Sequence, residues 1–246
     1  MKRILIIGAT SAIAAACARR WSACAARFFL VARSAERLQQ IADDLKVRGA
    51  ADVACHLLDL NRLDDHAAML DACMGSMGGI DVALVAHGTL SDQDRCQADA
   101  MLAAHEFSTN ATSVIAVTTA IAERMRAAGS GTIAVISSVA GDRGRASNYV
   151  YGAAKAAVST FCEGMTARLQ ARGIHVLTIK PGFVATPMTE NMELPRILTA
   201  TPDRVARDIV KAVEHRAHVL YTPWFWRQIM WVVRMVPGFV LRRMSR

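Results

Sequence analysis

The sequence predicts an α/β protein, a single domain built on a doubly wound parallel sheet with helices on both faces. Short continuous apolar runs of strand length alternate with longer helix-forming stretches as far as about residue 221. That rhythm is produced by parallel strands joined through covering helices. At 246 residues and 53% hydrophobic content the chain suits one large domain with a substantial core, and no internal repeat or low-complexity linker marks a second.

The elements follow in order. Ile4 to Ile7 is a four-residue apolar run stopped by Gly8, and Ala12 to Ala26 has helix-forming composition, so the chain opens strand, turn, helix. Lys2-Arg3 before this stretch imitates a secretory leader, but the apolar run is too short for one. Phe28 to Val31 reads as the second strand, Ala35 to Arg48 as an amphipathic helix ending near Gly49, and Asp52 to Leu58 as the third strand. Asp64 to Met77 is helical. After Gly78-Gly79 come a fourth strand, Val82 to Ala86, one long or two broken helices from Asp99 to Ala128, and a fifth strand, Thr132 to Ile136. Asn148 to Arg172 is a long helix and Val176 to Ile179 a sixth strand, stopped by Pro181-Gly182. Pro202 to Arg216 is a further helix, and Val219 to Tyr221 a last strand. In such sheets the loops at the carboxyl ends of the strands form the binding crevice. Gly8, Asp59, Ala86-His87-Gly88, Ser138 and Pro181-Gly182 all fall there and should converge.

Composition excludes several function classes. The six cysteines (Cys17, Cys24, Cys55, Cys73, Cys96, Cys162) are scattered singly with no metal-ligand spacing, and read as free thiols of a reducing, cytoplasmic compartment. The seven histidines form no ligand cluster, so no metal is expected. The net charge of +8 is concentrated in the tail: nothing after Glu214 is acidic, while Arg216, Arg227, Arg234, Arg242, Arg243 and Arg246 lie there. No nucleic-acid-binding motif accompanies this basicity.

The chemistry is carried by a few positions. Tyr151 and Lys155 are four apart on a helix, which places phenol and ammonium on one face. A lysine cation there favours the phenolate and lowers the tyrosine from its usual pKa of about 10. Ser138, delivered by a separate strand end, is placed to hold a substrate oxygen. Taken alone, the pair reads as an ordinary half-exposed surface contact, and its surroundings must decide. Gly8-Ala9-Thr10-Ser11-Ala12-Ile13-Ala14 sits where a dinucleotide-binding turn belongs, at a helix amino terminus able to accept a pyrophosphate, and also reads as an ordinary strand-to-helix turn. The second strand ends in Arg33, where an acidic residue would hold a ribose 2′-hydroxyl; an arginine suits a 2′-phosphate and so NADPH over NADH, the alternative being a solvated charge.

Together, G-x-x-x-A-I-A after the first strand, Asp59, Asn110, Ser138, Tyr151-x-x-x-Lys155 and Pro181-Gly182-x-Val184-x-Thr186 resemble the short-chain dehydrogenase/reductase family over residues 1–222. The resemblance implies a single Rossmann-type domain and NADPH, with NADH possible, as hydride donor to a ketone. Tyr151 is then the general acid/base, Lys155 its pKa-lowering partner and ribose ligand, Ser138 the orienting hydroxyl, and Asn110 the support of a proton-relay water. Gly8, Thr10, Ser11, Ala12, Ile13, Arg33, Asp59, Leu60, Ala86, Gly88 and the segment Pro181, Gly182, Val184, Thr186 become cofactor contacts. A homo-oligomer built on the helices before Asn110 and after Asn148 is also implied. Two departures stand out: Val85-Ala86-His87-Gly88 replaces the usual N-N-A-G, and Ala12 and Ala14 replace glycines of the first turn.

Residues 223–246 are a basic, aromatic tail holding three of the four tryptophans. As a helix, Trp224 to Val236 is too short to span a bilayer but suits a membrane interface, with Arg242, Arg243 and Arg246 adding attraction to anionic headgroups. The alternatives are a helix packed on a subunit neighbour or roofing the active site. The tail, YVYGAAKA and PGFVATPM are similar to the decaprenylphosphoryl keto-sugar reductases of the same family, which implies a lipid-linked pentulose substrate reached at the inner face of the plasma membrane. A soluble carbonyl substrate and a non-catalytic binding protein on the same fold are the competing expectations.

Overall fold

A computed structural model describes residues 1–190 and 192–238. Its core is a seven-stranded, all-parallel sheet in the order β3-β2-β1-β4-β5-β6-β9. The strands are β1 (Arg3–Ile7), β2 (Arg27–Ala32), β3 (Asp52–Leu57), β4 (Val82–Val85), β5 (Gly131–Ile136), β6 (Ile174–Pro181) and β9 (Val219–Thr222). Two further strands, β7 (Phe183–Val184) and β8 (Thr199–Ala200), pair with each other beyond the end of β6.

The continuous apolar runs are explained by burial on both sides of the sheet. Ile4 and Ile6 of β1 point into one core with Phe28 and Leu30, beneath α1 (Ala12–Ser22), α2 (Ala35–Val47) and α8 (Pro202–Glu214). Leu5 and Ile7 point into the other with Phe29 and Val31, beneath α3 (His66–Met77), α6 (Ser113–Ala128) and α7 (Tyr149–Leu169). Caps fix the helix ends: Ser34 accepts from the Arg37 N–H and Thr201 from the Arg204 N–H, while Gly78 and Gly129 close α3 and α6 in the left-handed conformation.

Several boundaries differ from the sequence expectation. The first helix ends at Ser22 and not at Ala26, because residues 23–26 turn sharply through Ala25 at φ 50° to feed β2. A short helix, α4 (Gln93–Ala98), precedes α5 (Ala100–Phe107), started by the Asp99 side chain, which accepts from the Met101 and Leu102 N–H groups. The expected long or broken helix is α5 and α6 joined without interruption through a wide π turn, Ser108–Thr112. The tail helix, α9, runs Trp226–Met235. Arg242, Arg243 and Arg246, singled out for headgroup attraction, lie outside the described residues.

The chain winds one way from β1 to β3 and the other from β4 to β9, so β1 and β4 flank the switch point where a crevice must open.

Candidate active site

The carboxyl ends of these strands open into one cavity of about 780 Å³. Gly8, Thr10, Ser11, Ala12 and Ile13 line it from the β1–α1 turn, Arg33 from beyond β2, and Asp59 and Leu60 from beyond β3. Ala86 and Gly88 come from beyond β4, Asn110 from the π turn, Ser138 from beyond β5, and Tyr151 and Lys155 from α7. Pro181, Gly182, Val184 and Thr186 close the far end.

Ser138 is extended and starts a tight turn, Val139–Asp142, its Oγ accepting from the Ala140 N–H at 3.1 Å. The turn is pressed onto α7: a Cβ on Gly141 would fall 2.6 Å from the Lys155 carbonyl carbon. Ser137 Oγ donates to the same Lys155 carbonyl oxygen at 2.9 Å. The β5 end and the α7 face are therefore held in fixed relation, which sets Ser138 against Tyr151. Ser138 is close enough to Tyr151 for its hydroxyl to favour the charged form of the phenol. Lys155, 3% exposed, donates to the Ile136 carbonyl at 3.2 Å and lies 5.6 Å from the centre of the Tyr151 ring.

The electrostatics correct one expectation. Lys155 does not pull Tyr151 down in this state: burial pushes the phenol up to about 12, with the Ser138 hydroxyl working against it. Burial also draws the Lys155 ammonium down to about 8. For both groups burial is the largest influence, and it disfavours the charged form of each.

Asn110 is fully buried, and its side chain is committed. Oδ1 accepts from the Thr89 N–H at 3.0 Å, while Nδ2 donates to Thr89 Oγ1 at 3.1 Å and to the Glu106 carbonyl at 3.0 Å. Thr89 Oγ1 in turn donates to Glu106 Oε2 at 2.6 Å. The amide thus holds the β4 loop in place, and the wide π turn is what brings it there.

Further residues line the cavity, His87 among them, which the sequence places at a strand end without giving it a role. His87 stands 2.9 Å from Ser113 Oγ, and because that hydroxyl donates to the Thr109 carbonyl, His87 Nε2 carries the proton. Burial, then the Lys155 charge, hold its pKa down to about 3, so it stays neutral. Arg19 and Arg37 join Arg33 around the cofactor end, with Arg37 also donating to the Thr10 carbonyl at 3.0 Å. The signal for Arg37 was in the sequence: it follows Arg33 by four residues, in the first turn of α2. Arg145 and Trp226 line the opposite end. Trp226 and Met230 of α9 pack on Val139, with Phe183 and Leu198 around them, so the described part of the tail forms a wall of the cavity.

A dinucleotide fits this cradle. Gly8 adopts φ 80°, and a Cβ there would lie 2.6 Å from the His87 backbone nitrogen, so the turn is tight because β4 presses on it. Ser11 makes no side-chain cap on α1, which leaves the N–H groups of its first turn free for a pyrophosphate.

A family model described as short chain dehydrogenase matches residues 2–196. The chain belongs to the short-chain dehydrogenase family. It is similar to an uncharacterized oxidoreductase of Mycobacterium tuberculosis, 37% identical over 99% of this chain and 97% of the relative. It is 31% identical to an uncharacterized oxidoreductase of Streptomyces coelicolor, over 99% of this chain and 96% of that one. Among solved structures, a variant actinorhodin polyketide ketoreductase crystallised with NADPH shares the fold, with TM-score 0.82 and 24% identity over 92% of this chain and 97% of that one. As a member of the short-chain dehydrogenase family this chain is an oxidoreductase, and the matched span includes Ser138, Tyr151 and Lys155.

Proposed function

We propose that the protein is an NADPH-dependent ketoreductase whose substrate is a ketone or keto-sugar carried on a lipid, of the polyprenyl-phosphate pentulose kind, taken up at a membrane surface. The observation that carries this reading is the two-sided character of α9. Its inner residue Trp226 walls the cavity with Met230 buried beside it, while Trp224 next to the helix and Trp231, Val232 and Met235 on it are exposed. An apolar stripe beside a substrate mouth, in a segment with no acid after Glu214, suits an anionic lipid interface. The cavity mouth adds half-exposed Met188 and Met192, adaptable apolar side chains fit for an acyl or prenyl chain. No helix among the described residues is long and apolar enough to cross a membrane, so the contact proposed is peripheral.

A bound nicotinamide supplies the hydride. The chain's own part is to hold and protonate the oxygen: Ser138 Oγ and Tyr151 OH converge on one point, where Ser138 fixes the substrate carbonyl oxygen and Tyr151 gives it a proton. Lys155 holds the ribose side of the site and resupplies positive charge beside the phenol as the proton leaves. NADPH is preferred over NADH by Arg33, Arg37 and Arg19, three guanidinium groups where a 2′-phosphate would lie. The similar fold solved with NADPH and a 27% identical ketoacyl reductase of Nostoc support the same reaction class. A homo-oligomer is also proposed, through Met101, Phe107 and Tyr149, exposed on α5 and at the start of α7.

A second reading, a soluble carbonyl substrate with α9 as a lid, is favoured by the burial of Trp226 at 3% and Met230 at 1% over the site. Liposome flotation separates the two. The proposed function requires the full chain to float with vesicles containing anionic lipid and a Trp224→Ser/Trp231→Ser variant to sink, while both oxidise NADPH with a small ketone. Equal behaviour of the two proteins on vesicles would leave the lid reading.

A further inference from the structure

Five cationic side chains line the cavity, Arg19, Arg33, Arg37, Arg145 and Lys155, against two acids, Asp59 and Asp203. Three of the arginines stand at the cofactor end and Lys155 belongs to the reacting centre. Arg145 has no such task. It lies in the segment between Ser138 and Tyr151, half-buried, at the end of the cavity walled by Trp226. Its only partner among the described residues is a thioether, Nη2 standing 3.6 Å from Met230 Sδ. A thioether is a weak acceptor, and it leaves a guanidinium with five donors almost unanswered.

The acid nearest to it in sequence is not available to it. Asp142, its side chain 1% exposed, receives Lys180 Nζ at 2.6 Å and Arg234 Nη2 at 3.2 Å on Oδ1, and the Tyr221 hydroxyl at 2.7 Å on Oδ2. That carboxylate is committed to two cations already. Arg143, two residues before Arg145, donates to the Val236 carbonyl at 3.1 Å. Arg145 is thus partly desolvated and lines the cavity, and among the described residues its guanidinium is steadied by α9 without an acid to neutralise it.

We infer that Arg145 is the anion-binding residue of the substrate subsite and selects ketones that carry an oxoanion, a phosphate or a carboxylate, within reach of Ser138 and Tyr151. A planar guanidinium takes either group through two parallel hydrogen bonds, and α9 sets the distance between that anchor and the carbonyl. This inference rests on the reductase reading and adds to it a substrate class.

The test compares matched ketones with the full-length protein and saturating NADPH: dihydroxyacetone with its phosphate, fructose with its 6-phosphate, and ethyl levulinate with levulinate. Wild type is expected to prefer at least one anionic member, and Arg145→Gln to lose about tenfold to a hundredfold in kcat/KM for it, mainly through KM. The neutral partner and the NADPH dissociation constant should stay within about twofold, and Arg145→Lys should restore part of the loss. The phosphate and carboxylate pairs say which oxoanion is read. Calorimetric titration of fructose 6-phosphate, dihydroxyacetone phosphate and levulinate into the NADPH complex gives an arm free of turnover. If wild type reduces no ketone, the reductase reading fails, while tighter binding of an anion by wild type than by Arg145→Gln still upholds the subsite. Equal losses for charged and neutral partners, weakened NADPH binding in Arg145→Gln, or no anion preference in either assay would overturn it.

Discussion

The indole of Trp226 occupies the space that a side chain on Gly182 would fill, with Nε1 and the adjoining ring carbons directly against the glycine. The segment that closes the cavity after β6 and the tail helix α9 are therefore fitted to each other, and Trp226 also meets Phe183 edge-on at 5.3 Å between ring centres.

Gly182→Ala should force the indole out of its seat. Overpacking of this kind costs about 1–3 kcal/mol, and here the displaced group is a wall of the site. We expect kcat/KM to fall about tenfold or more and tryptophan emission to shift to the red. In a Trp226→Ala background the same glycine change should be nearly silent. A loss of equal size in both backgrounds would show that the contact is not what requires glycine.

The Asp142 cluster makes a graded prediction. Removing Arg234, 54% exposed, should change stability by less than about 1 kcal/mol. Asp142→Asn strips the carboxylate from Lys180, whose side chain is 9% exposed, and leaves a buried cation without its partner, at a cost of about 3–5 kcal/mol. Urea unfolding of the two variants should therefore differ widely; similar midpoints would contradict the burial of this pair.

Lys155 gives a pH signature. Unfolded, it keeps its ordinary value of 10.5; folded, burial lowers it to about 8. Between these values the unfolded chain holds more protons, so this residue's contribution to stability rises with pH across that window, and below about 8 its full cost is present. Lys155→Met removes a cost on the order of 3 kcal/mol, offset by about 1 for the lost bond to the Ile136 carbonyl. The variant should be inactive yet melt higher than wild type at pH 7, with the gap shrinking towards pH 10. A gap that stays constant with pH would count against the buried ammonium.

The cofactor end should discriminate by charge. Arg33→Ala and Arg37→Ala are expected to weaken NADPH binding about tenfold each and to leave NADH within about twofold, measured by fluorescence titration. Parallel losses for both dinucleotides would assign these arginines to the shared pyrophosphate.

Most of the fold was legible because a sheet buried on both faces writes each strand as an unbroken apolar run. Ile4 to Ile7 is such a run, and all four residues are 0% exposed. Spacing and chain order also brought Ser138, Tyr151 and Lys155 to one cavity, since strand ends of a doubly wound sheet must converge. What could not be read depends on contacts between distant segments. Nothing in YTPWFWRQIMW says that Trp226 turns inward while Trp231 stays out; that is decided by Gly182 and Val139. The direction in which the Tyr151 pKa moves was misjudged for a similar reason, because spacing shows the neighbouring lysine and not the burial of the phenol. Arg145 was passed over because only the fold shows that the nearby carboxylate of Asp142 is already taken.

The central claim is that Ser138, Tyr151 and Lys155 form a proton-delivering reductive centre. Its most direct measurement is the rate of NADPH oxidation, followed by near-ultraviolet absorbance, for wild type and Tyr151→Phe with the same ketone at saturating cofactor. The phenol removed is the proton donor, so Tyr151→Phe should lose about 10²–10⁴-fold in kcat while binding NADPH as wild type does. A Tyr151→Phe protein that turns over at close to the wild-type rate would contradict the account at its centre.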